Sequence, residues 1–370
     1  MKRIFFFGDN LHGGGAELFT VELIKALKKD GYDIKFFLLN AENIRLDVED
    51  VDIVDLSIQF NNSVLRVKGK SLNREKIEFL KSLEIKYRPD ILIFIAPMSY
   101  WLERFFLTKN KYFWIHGDFF DFNIKNRVKF LNILNVLNIL NEYRKIFLEK
   151  KGARILFLNK KIIVVNKDLF SFFLKSKLTQ SVTFIRNGLP DIKFCKSFTP
   201  SIKKFDAVYV GRLEKDKRVE LAIKFFSESK LTGCLAIVGD GSELYNLKAL
   251  VQSLKLEKRV VFFGWLYNPQ QIIAQSKILL LTSKYETFGL VVTEAHILGL
   301  SVVAFNSSSG VSEQFLTVES RIGLVEQDDF TGFVSALNLV YDLPYFIPIK
   351  LLKTYTMSRV LIDFKKNIAN

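Results

Sequence analysis

Two glutamates, Glu286 and Glu294, lie eight positions apart on either side of a Phe-Gly pair. The apolar residues 278–281 before them predict a buried parallel strand, and residues 290–298 predict a helix closed by a glycine. A helix that starts at a strand exit points free backbone N–H groups and the positive end of its dipole outward, which suits a diphosphate. Carboxylates beside it can accept hydrogen bonds from sugar hydroxyls. The pattern indicates a sugar-nucleotide site; the alternative is a capping glutamate followed by a solvated helix glutamate.

Arg212 and Lys217 follow a second predicted strand at 208–211 and precede an amphipathic helix. A guanidinium and an ammonium at this position can neutralise a leaving diphosphate, a role that a metal ion fills in transferases with an Asp-x-Asp motif. We therefore expect no metal ion. The single Asp-x-Asp match, residues 50–52, lies in a charged stretch and favours a solvated strand edge. For Arg212 and Lys217 the alternative is an exposed ion-pair surface.

A run of three glycines, Gly13, Gly14 and Gly15, follows the first predicted strand. Glycine lets the backbone approach a ligand more closely than any residue with a Cβ atom. The run is not a dinucleotide fingerprint, because Leu18 stands where the third glycine belongs, and the Gly-Lys-Ser/Thr ending of a Walker loop is absent. A second glycine pair, in residues 239–241, follows another predicted strand. The run of three glycines could alternatively be a flexible turn at a helix start.

His116 ends the apolar strand predicted at 112–115. Strand exits of an open α/β sheet face the ligand, so His116 is a candidate for the site; the alternative is a satisfied structural histidine. His12 and His296 are weaker candidates, and we expect His296 to pack against its own domain.

Strands and helices alternate along the 370 residues, which predicts an α/β fold with two Rossmann-like domains. We expect an N-terminal domain over 1–190 and a C-terminal domain over 200–345, joined by a polar linker at 190–204. A final helix at about 350–370 is expected to pack back onto the first domain.

The net charge of +15 predicts an anionic partner, either nucleic acid or a membrane. The segment 119–155 carries Lys and Arg at both ends of an apolar, Asn-interrupted arc, so it could lie in a membrane interface. An ordinary core-facing helix with a basic solvated face is equally compatible. Cys195 and Cys234 predict neither a disulfide framework nor a metal site, which favours a reducing cytosol. The short apolar run near the N-terminus predicts a strand rather than a signal peptide.

Together these motifs resemble the retaining glycosyltransferases of the GT-B architecture, family 4, also called glycosyl transferases group 1. The resemblance is dense from about 181 to 330 and thin from about 40 to 180. Two departures are Arg218, where the family commonly has Gly, and the serine-rich 307–310 before Glu313. The motifs occur in the family's order: Gly13-Gly14-Gly15-Ala16-Glu17, Asn187-Gly188, Gly211-Arg212 with Lys217, Gly239-Asp240-Gly241, Phe263-Gly264, Glu286 to Glu294, and Glu313.

The resemblance implies two Rossmann-like domains facing across a donor/acceptor cleft and a nucleoside diphosphate sugar as donor, with a UDP-sugar favoured and no cofactor required. It places Glu286 and His116 at the donor sugar and Glu294 at the ribose. It also implies transfer with retained anomeric configuration and without a dedicated protein base. The diphosphate and its surroundings would be held by the remaining predicted site residues: Gly14, Gly15, Arg212, Lys217, Gly239, Gly289 and Leu290.

The implied acceptor is a glycan or a lipid-linked glycan, and the implied setting is the inner face of a bacterial cell membrane, during synthesis of O-antigen, capsule or lipopolysaccharide. An anionic membrane surface, and not nucleic acid, would then account for the positive charge. The alternatives are a hydrolysing nucleotide-sugar epimerase of the same architecture and a non-catalytic basic protein that binds nucleic acid or membrane.

Overall fold

A computed structural model describes residues 2–60, 72–117, 136–190, 203–343 and 353–369. The chain divides into two compact units, the first comprising Met1–Ile185 and Phe364–Asn370 and the second comprising Arg186–Asp363. Residues 191–202 of the predicted linker, with Cys195, lie outside the described residues. Residues 119–135 of the predicted membrane-interface segment also lie outside them.

The first unit is built on a seven-stranded parallel sheet with the order β3-β2-β1-β4-β5-β6-β7. Its strands are β1 Arg3–Gly8, β2 Asp33–Leu38, β3 Ile53–Asp55, β4 Ile91–Phe94, β5 Lys111–Ile115, β6 Lys161–Val164 and β7 Ser181–Phe184. Its helices are α1 Gly15–Lys29, α2 Arg74–Tyr87, α3 Val136–Phe157 and α4 Lys167–Ser176, with a 3-10 helix at Ser99–Phe105.

The apolar sequence of β1 forms a strand because β1 lies in the middle of this sheet and is buried on both faces. The Phe7 ring stacks on Phe37 at 5.1 Å and on Phe94 at 4.8 Å between ring centroids. These contacts across three adjacent strands place the aromatic core directly beneath the loop that leaves β1.

The second unit has a six-stranded parallel sheet with the order β10-β9-β8-β11-β12-β13. Its strands are β8 Phe205–Val210, β9 Leu235–Val238, β10 Val260–Gly264, β11 Ser276–Leu281, β12 Ser301–Phe305 and β13 Leu324–Val325. Its helices are α5 Val219–Glu228, α6 Leu244–Ser253, α7 Gln270–Ala274, α8 Leu290–Ile297, α9 Ser309–Ser312, α10 Val318–Ile322, α11 Phe330–Asp342 and α12 Met357–Phe364.

Both sheets follow the doubly wound Rossmann order, in which the strand order reverses beside the first strand of each unit. The reversal falls between β1 and β4 in the first unit and between β8 and β11 in the second. Ligands of such sheets bind at the carboxyl ends of the strands at this switch point. The predicted α/β fold with two Rossmann-like domains is confirmed, whereas the domain limits of 1–190 and 200–345 stay a prediction.

Within the described part of the chain, the helices are too short or too polar to cross a bilayer.

Candidate donor and acceptor sites

The loops that leave β8 and β11 meet at the switch point of the second unit through Lys217 and Glu286. The Lys217 Nζ lies 2.7 Å from the Glu286 Oε1, and both side chains are largely buried, at 15% and 19% exposure. Ser283 Oγ donates a second hydrogen bond of 2.8 Å to the same carboxylate oxygen. Burying a charge is costly unless it is paired, so each member of this pair stabilises the other in place.

Hydrogen bonds to backbone carbonyls hold these two loops together. The Thr282 hydroxyl, just after β11, donates to the Arg218 carbonyl at 2.9 Å and to the Lys217 carbonyl at 3.2 Å. The Lys284 N–H donates to the Asp216 carbonyl at 2.9 Å. On the other side, the Ser308 hydroxyl donates to the Glu286 carbonyl at 2.5 Å. Lys217 and Glu286 therefore project from a braced junction of three loops.

Arg212 lies in the same loop as Lys217 but is much more exposed, at 64%. Its nearest carboxylate, that of Asp216, is 3.9 Å away, and an exposed pair at this distance contributes little. The Arg212 backbone is nevertheless anchored, because the buried Tyr209 hydroxyl donates to its carbonyl at 3.1 Å. The guanidinium thus has a fixed base and a solvent-facing head that can turn toward an anion.

Arg218, which departs from the family pattern, points away from this pair. Its backbone has φ 52°, the left-handed conformation that a glycine adopts most easily. Its guanidinium binds the Asp328 carboxylate at 2.6 Å and lies over the Phe305 ring at 5.6 Å. Arg218 therefore adopts the left-handed turn itself and adds an anchor outside the candidate site.

The glycine pair Gly239 and Gly241 packs against the loop that carries Arg212. A Cβ atom on Gly239 would stand 1.8 Å from the Gly211 carbonyl oxygen, and one on Gly241 would stand 2.5 Å from the Leu213 carbonyl oxygen. The Leu213 N–H donates to the Asp240 carbonyl at 2.9 Å. These glycines let two strand-exit loops touch, which positions Arg212; contact of Gly239 with a ligand stays a prediction.

Helix α8 begins at the carboxyl end of β11, with Gly289 as its N-cap. The buried side chain of Gln314 holds this start by donating to the Phe288 carbonyl at 2.6 Å and to the Gly310 carbonyl at 2.8 Å. The first-turn amides of α8, from Leu290 onward, form an N-terminal end of the type that binds anions. Together with Lys217 they provide positive potential at the neighbouring exits of β8 and β11.

Glu294 lies in α8 and is buried, with 9% exposure. Burial raises the pKa of its carboxyl group to about 7, an effect opposed by a hydrogen bond with the Gln270 side chain. A carboxyl group whose pKa is displaced in this way is a typical functional-site candidate. Its predicted contact with a ribose stays a prediction. His296 packs against the domain as expected, buried with its ring 5.5 Å from that of Phe315.

The first unit contains a cavity of about 270 Å³ at the carboxyl ends of β1, β4 and β5. His116 and Glu17 both line it, together with Asp9, which the sequence analysis did not single out. The Asp9 carboxylate accepts hydrogen bonds from the Ser99 N–H at 2.8 Å and the Met98 N–H at 3.1 Å. In the sequence, only the position of Asp9 after the first strand could have indicated that it lines a site. The cavity therefore lies at the switch point of the first unit, between β1 and β4.

His116 is fully buried, and burial lowers the pKa of its imidazole to about 3, so the ring is neutral at physiological pH. Neither ring nitrogen has a hydrogen-bond partner among the described residues. Its ring packs against Trp114 at 5.7 Å and Phe19 at 5.5 Å. Since buried polar groups are nearly always hydrogen-bonded, an unpaired imidazole on a cavity wall is suited to binding a ligand hydroxyl.

The side chain of Glu17 folds back onto the backbone of the glycine run. The Glu17 Oε2 accepts hydrogen bonds from the Gly13 N–H at 2.8 Å and the Gly14 N–H at 3.2 Å, and Gly15 begins α1. Glu17 thus caps the helix and occupies two backbone amides of the glycine run. Ligand contacts of Gly14 and Gly15 stay predictions.

Two Rossmann-like sheets, each with polar side chains at its switch point, define the GT-B architecture. The structure resembles the lipopolysaccharide outer core galactosyltransferase WaaB, with a TM-score of 0.68 and 18% identity over 99% of this chain and 98% of that one. It also resembles Alr3699/HepE of Anabaena in complex with UDP-glucose, with a TM-score of 0.68 and 16% identity over 100% of both chains.

Residues 194–344 match the family model of glycosyl transferases group 1. A lipopolysaccharide 1,6-galactosyltransferase of Escherichia coli K12 is 31% identical over 137 residues, a match that spans 35% of this chain and 38% of that enzyme. An uncharacterized glycosyltransferase of Haemophilus influenzae is 25% identical over 351 residues, covering 93% of this chain and 92% of that protein. Residues 194–344 therefore match the family that the motifs resemble, and both relatives carry the name of a glycosyltransferase.

Proposed function

We propose that this protein transfers a sugar, with retained anomeric configuration, from a nucleoside diphosphate sugar to a glycan or lipid-linked acceptor in the assembly of a bacterial lipopolysaccharide or O-antigen. The observation that carries the proposal is the Lys217–Glu286 pair at the start of α8. It puts an ammonium, a carboxylate and a helix N-terminus at one switch point, which matches the charges of a sugar diphosphate. UDP is favoured as the nucleotide because the structurally similar HepE carries UDP-glucose.

Lys217, Arg212 and the first amides of α8 would stabilise the leaving diphosphate. Charge develops on that group as its bond to the anomeric carbon breaks, and fixed positive groups in a largely buried site stabilise it most. Lys217 would then share its ammonium between Glu286 and the phosphate. Glu286 would keep a free lone pair for a hydroxyl of the donor sugar, with Ser283 holding the carboxylate in place.

The chemical step would need no carboxylate nucleophile. The acceptor hydroxyl oxygen bonds to the anomeric carbon, the carbon–oxygen bond to the diphosphate breaks on the same face, and a phosphate oxygen takes the hydroxyl proton. His116, neutral and unpaired on the wall of the first-unit cavity, would bind a sugar hydroxyl. Glu294 would accept hydrogen bonds from the ribose.

Donor binding tests this proposal directly. We would measure thermal shifts with UDP-, GDP-, ADP- and dTDP-sugars on the wild type, Lys217→Met and Glu294→Ala, since a ligand of the native state raises apparent stability. A shift with one nucleotide class that both variants lose supports the proposal, and NMR of the product's anomeric proton then tests retention. Absence of a shift with every nucleotide would overturn it.

We also propose that the protein works as a peripheral protein on the cytoplasmic face of the cell membrane. The observation that favours this is one side of α3, where large apolar side chains are exposed at helical spacing. Leu140 is 58% exposed, Tyr143 54%, Phe147 67% and Ile155 44%. Arg144, Lys151 and Arg154 are exposed on the same side of the helix. Apolar groups interleaved with cations suit the interface of an anionic bilayer.

Vesicle co-sedimentation tests the membrane proposal. We expect the wild type to bind phosphatidylglycerol vesicles, and a Leu140→Ser, Phe147→Ser double variant to bind at least several-fold more weakly. Ile85→Ser is a matched control, because Ile85 is a 74% exposed residue of α2 in the same unit. Equal binding of all three proteins would contradict the proposal. Tight binding to DNA that displaces the vesicles would favour the nucleic-acid alternative.

A further inference from the structure

The chain enters the second unit at Arg186 and leaves it at Asp363. A short segment after the entry is hydrogen-bonded to a short segment before the exit. The Leu189 N–H donates to the Tyr355 carbonyl at 2.9 Å, and the Met357 N–H donates to the Leu189 carbonyl at 2.8 Å. We call residues 186–189 and 355–357 together the paired passages.

Tyr355 reaches from the paired passages to the turn before α8. Its buried ring packs edge-on against Phe288, with 5.6 Å between the ring centroids and an interplanar angle of 69°. Its hydroxyl donates to the Glu313 carbonyl at 3.1 Å. Burial raises the pKa of this hydroxyl to about 12, so at neutral pH it keeps the proton that it donates.

Glu313 joins the paired passages to the segment that holds the Phe288 turn and the start of α8. Its carboxylate oxygen Oε2 accepts a hydrogen bond of 2.9 Å from the Arg186 Nη2. The next residue, Gln314, donates to the Phe288 carbonyl at 2.6 Å and accepts a hydrogen bond of 2.6 Å from the Thr293 hydroxyl of α8. These hydrogen bonds, linked through the backbone of Glu313 and Gln314, therefore connect the paired passages to both the Phe288 turn and α8.

We propose that Tyr355, supported by Arg186, is a positioning residue for donor binding. It touches no substrate; it holds the Glu313–Gln314 segment and the Phe288 ring so that the first amides of α8 face the diphosphate. The importance of this role for catalysis rests on the proposed function. The carboxylate of Glu313 would accordingly serve to anchor Arg186 rather than to bind the donor.

Amide hydrogen exchange on the ligand-free protein tests the proposal independently of any donor. Tyr355→Phe removes the hydroxyl and keeps the ring against Phe288. Tyr341→Phe is the matched control, because the Tyr341 hydroxyl also donates a hydrogen bond of 3.1 Å within this unit, to Asp206. Asp206 lies near the amino end of β8, at the opposite end of the strand from Arg212.

We expect exchange in the peptide covering residues 288–294 to accelerate about three- to tenfold in Tyr355→Phe, the factor that corresponds to one lost buried hydrogen bond. Exchange there should be unchanged in Tyr341→Phe. The dissociation constant of UDP, measured by calorimetry, should rise by a similar factor in Tyr355→Phe only.

Unchanged exchange in Tyr355→Phe would overturn the inference, and so would an equal acceleration in both variants, because that would indicate general loosening of the unit. Accelerated exchange with an unchanged dissociation constant for UDP would likewise overturn it. If the wild type bound no nucleotide at all, the proposed function would fail, whereas the exchange data would still decide whether Tyr355 holds the Phe288 turn.

Discussion

The Lys217 ammonium and the Glu286 carboxylate, from loops that leave two different strands, form a 2.7 Å ion pair that is mostly hidden from solvent. Removing one member of such a pair leaves the other charge buried and uncompensated. The pair therefore links the stability of the second unit to the chemistry that we propose for it.

Lys217→Met should lower the free energy of unfolding by about 1–3 kcal/mol, the usual range for leaving a partly buried charge or polar group unpaired. Transfer activity should fall by about 100-fold or more, because a cation aimed at the leaving group is lost. Urea denaturation and initial rates measure the two effects. Lys230→Met is the control: Lys230 pairs with Asp342 on the exposed surface, so both quantities should change little.

Glu286→Gln separates the contribution of the ion pair to stability from its contribution to transfer activity. The amide keeps the shape of the side chain and can still accept a hydrogen bond from Ser283, so we expect a stability change below about 1 kcal/mol. The negative charge that orients Lys217 and binds the sugar hydroxyl is lost, and we expect turnover to fall by at least about tenfold. A variant with normal turnover would show that the carboxylate is only structural.

The raised pKa of Glu294 predicts a specific pH dependence. Because its folded-state pKa is about 7 and the value in an unfolded chain is near 4.5, the protonated form is favoured by folding. The stability contributed by this group is therefore fully present below about pH 4.5 and is lost as the pH rises through 7. If the carboxylate accepts hydrogen bonds from a ribose, nucleotide affinity should instead rise between about pH 6 and 8.

Calorimetric titration with UDP across this pH range checks the prediction, with Glu294→Gln as the comparison. The variant should bind more weakly and should lose the rise in affinity. A wild-type affinity that is flat from pH 6 to 8 would show that ionisation of Glu294 is not coupled to nucleotide binding.

Gly239→Ala should be severely destabilising. The new methyl group would meet the Gly211 carbonyl oxygen at 1.8 Å, and the backbone at φ 142° is one that alanine rarely adopts. We expect a loss of about 3 kcal/mol or more, with displacement of the Arg212 loop. Gly264→Ala is the comparison, because Gly264 also has a positive φ, 68°, but has open space around it; a cost of about 1–2 kcal/mol is expected.

His116→Phe tests whether the buried imidazole serves function or folding. No hydrogen bond within the described residues is lost, since neither ring nitrogen has a partner there, and the ring borders a cavity with room for one more atom. We expect the melting temperature to change by only a few degrees, while transfer activity falls by about tenfold or more. A large loss of stability with normal specific activity would assign His116 to the core.

The sequence by itself determined the local structure and the fold class. The all-apolar strand Ile278 to Leu281 and the glycine beyond Leu298 predicted β11 and α8 almost to the residue, because hydrophobic period and terminal glycine are local signals. Motif order along the chain predicted the resemblance to glycosyl transferases group 1, which the match over residues 194–344 supports. It also predicted that Arg212, Lys217, Glu286 and Glu294 belong to one site.

Only the tertiary structure decided which of these groups meet and in what state. Lys217 and Glu286 are 69 positions apart and pair because β8 and β11 are neighbours in the sheet. Their neighbours differ in environment, since Arg212 faces solvent whereas Glu294 is buried with a raised pKa. Tyr355 carries no sequence signal, and Asp9 has only its position after the first strand. Proximity, burial and unpaired nitrogens such as those of His116 depend on packing between distant segments, which no local pattern encodes.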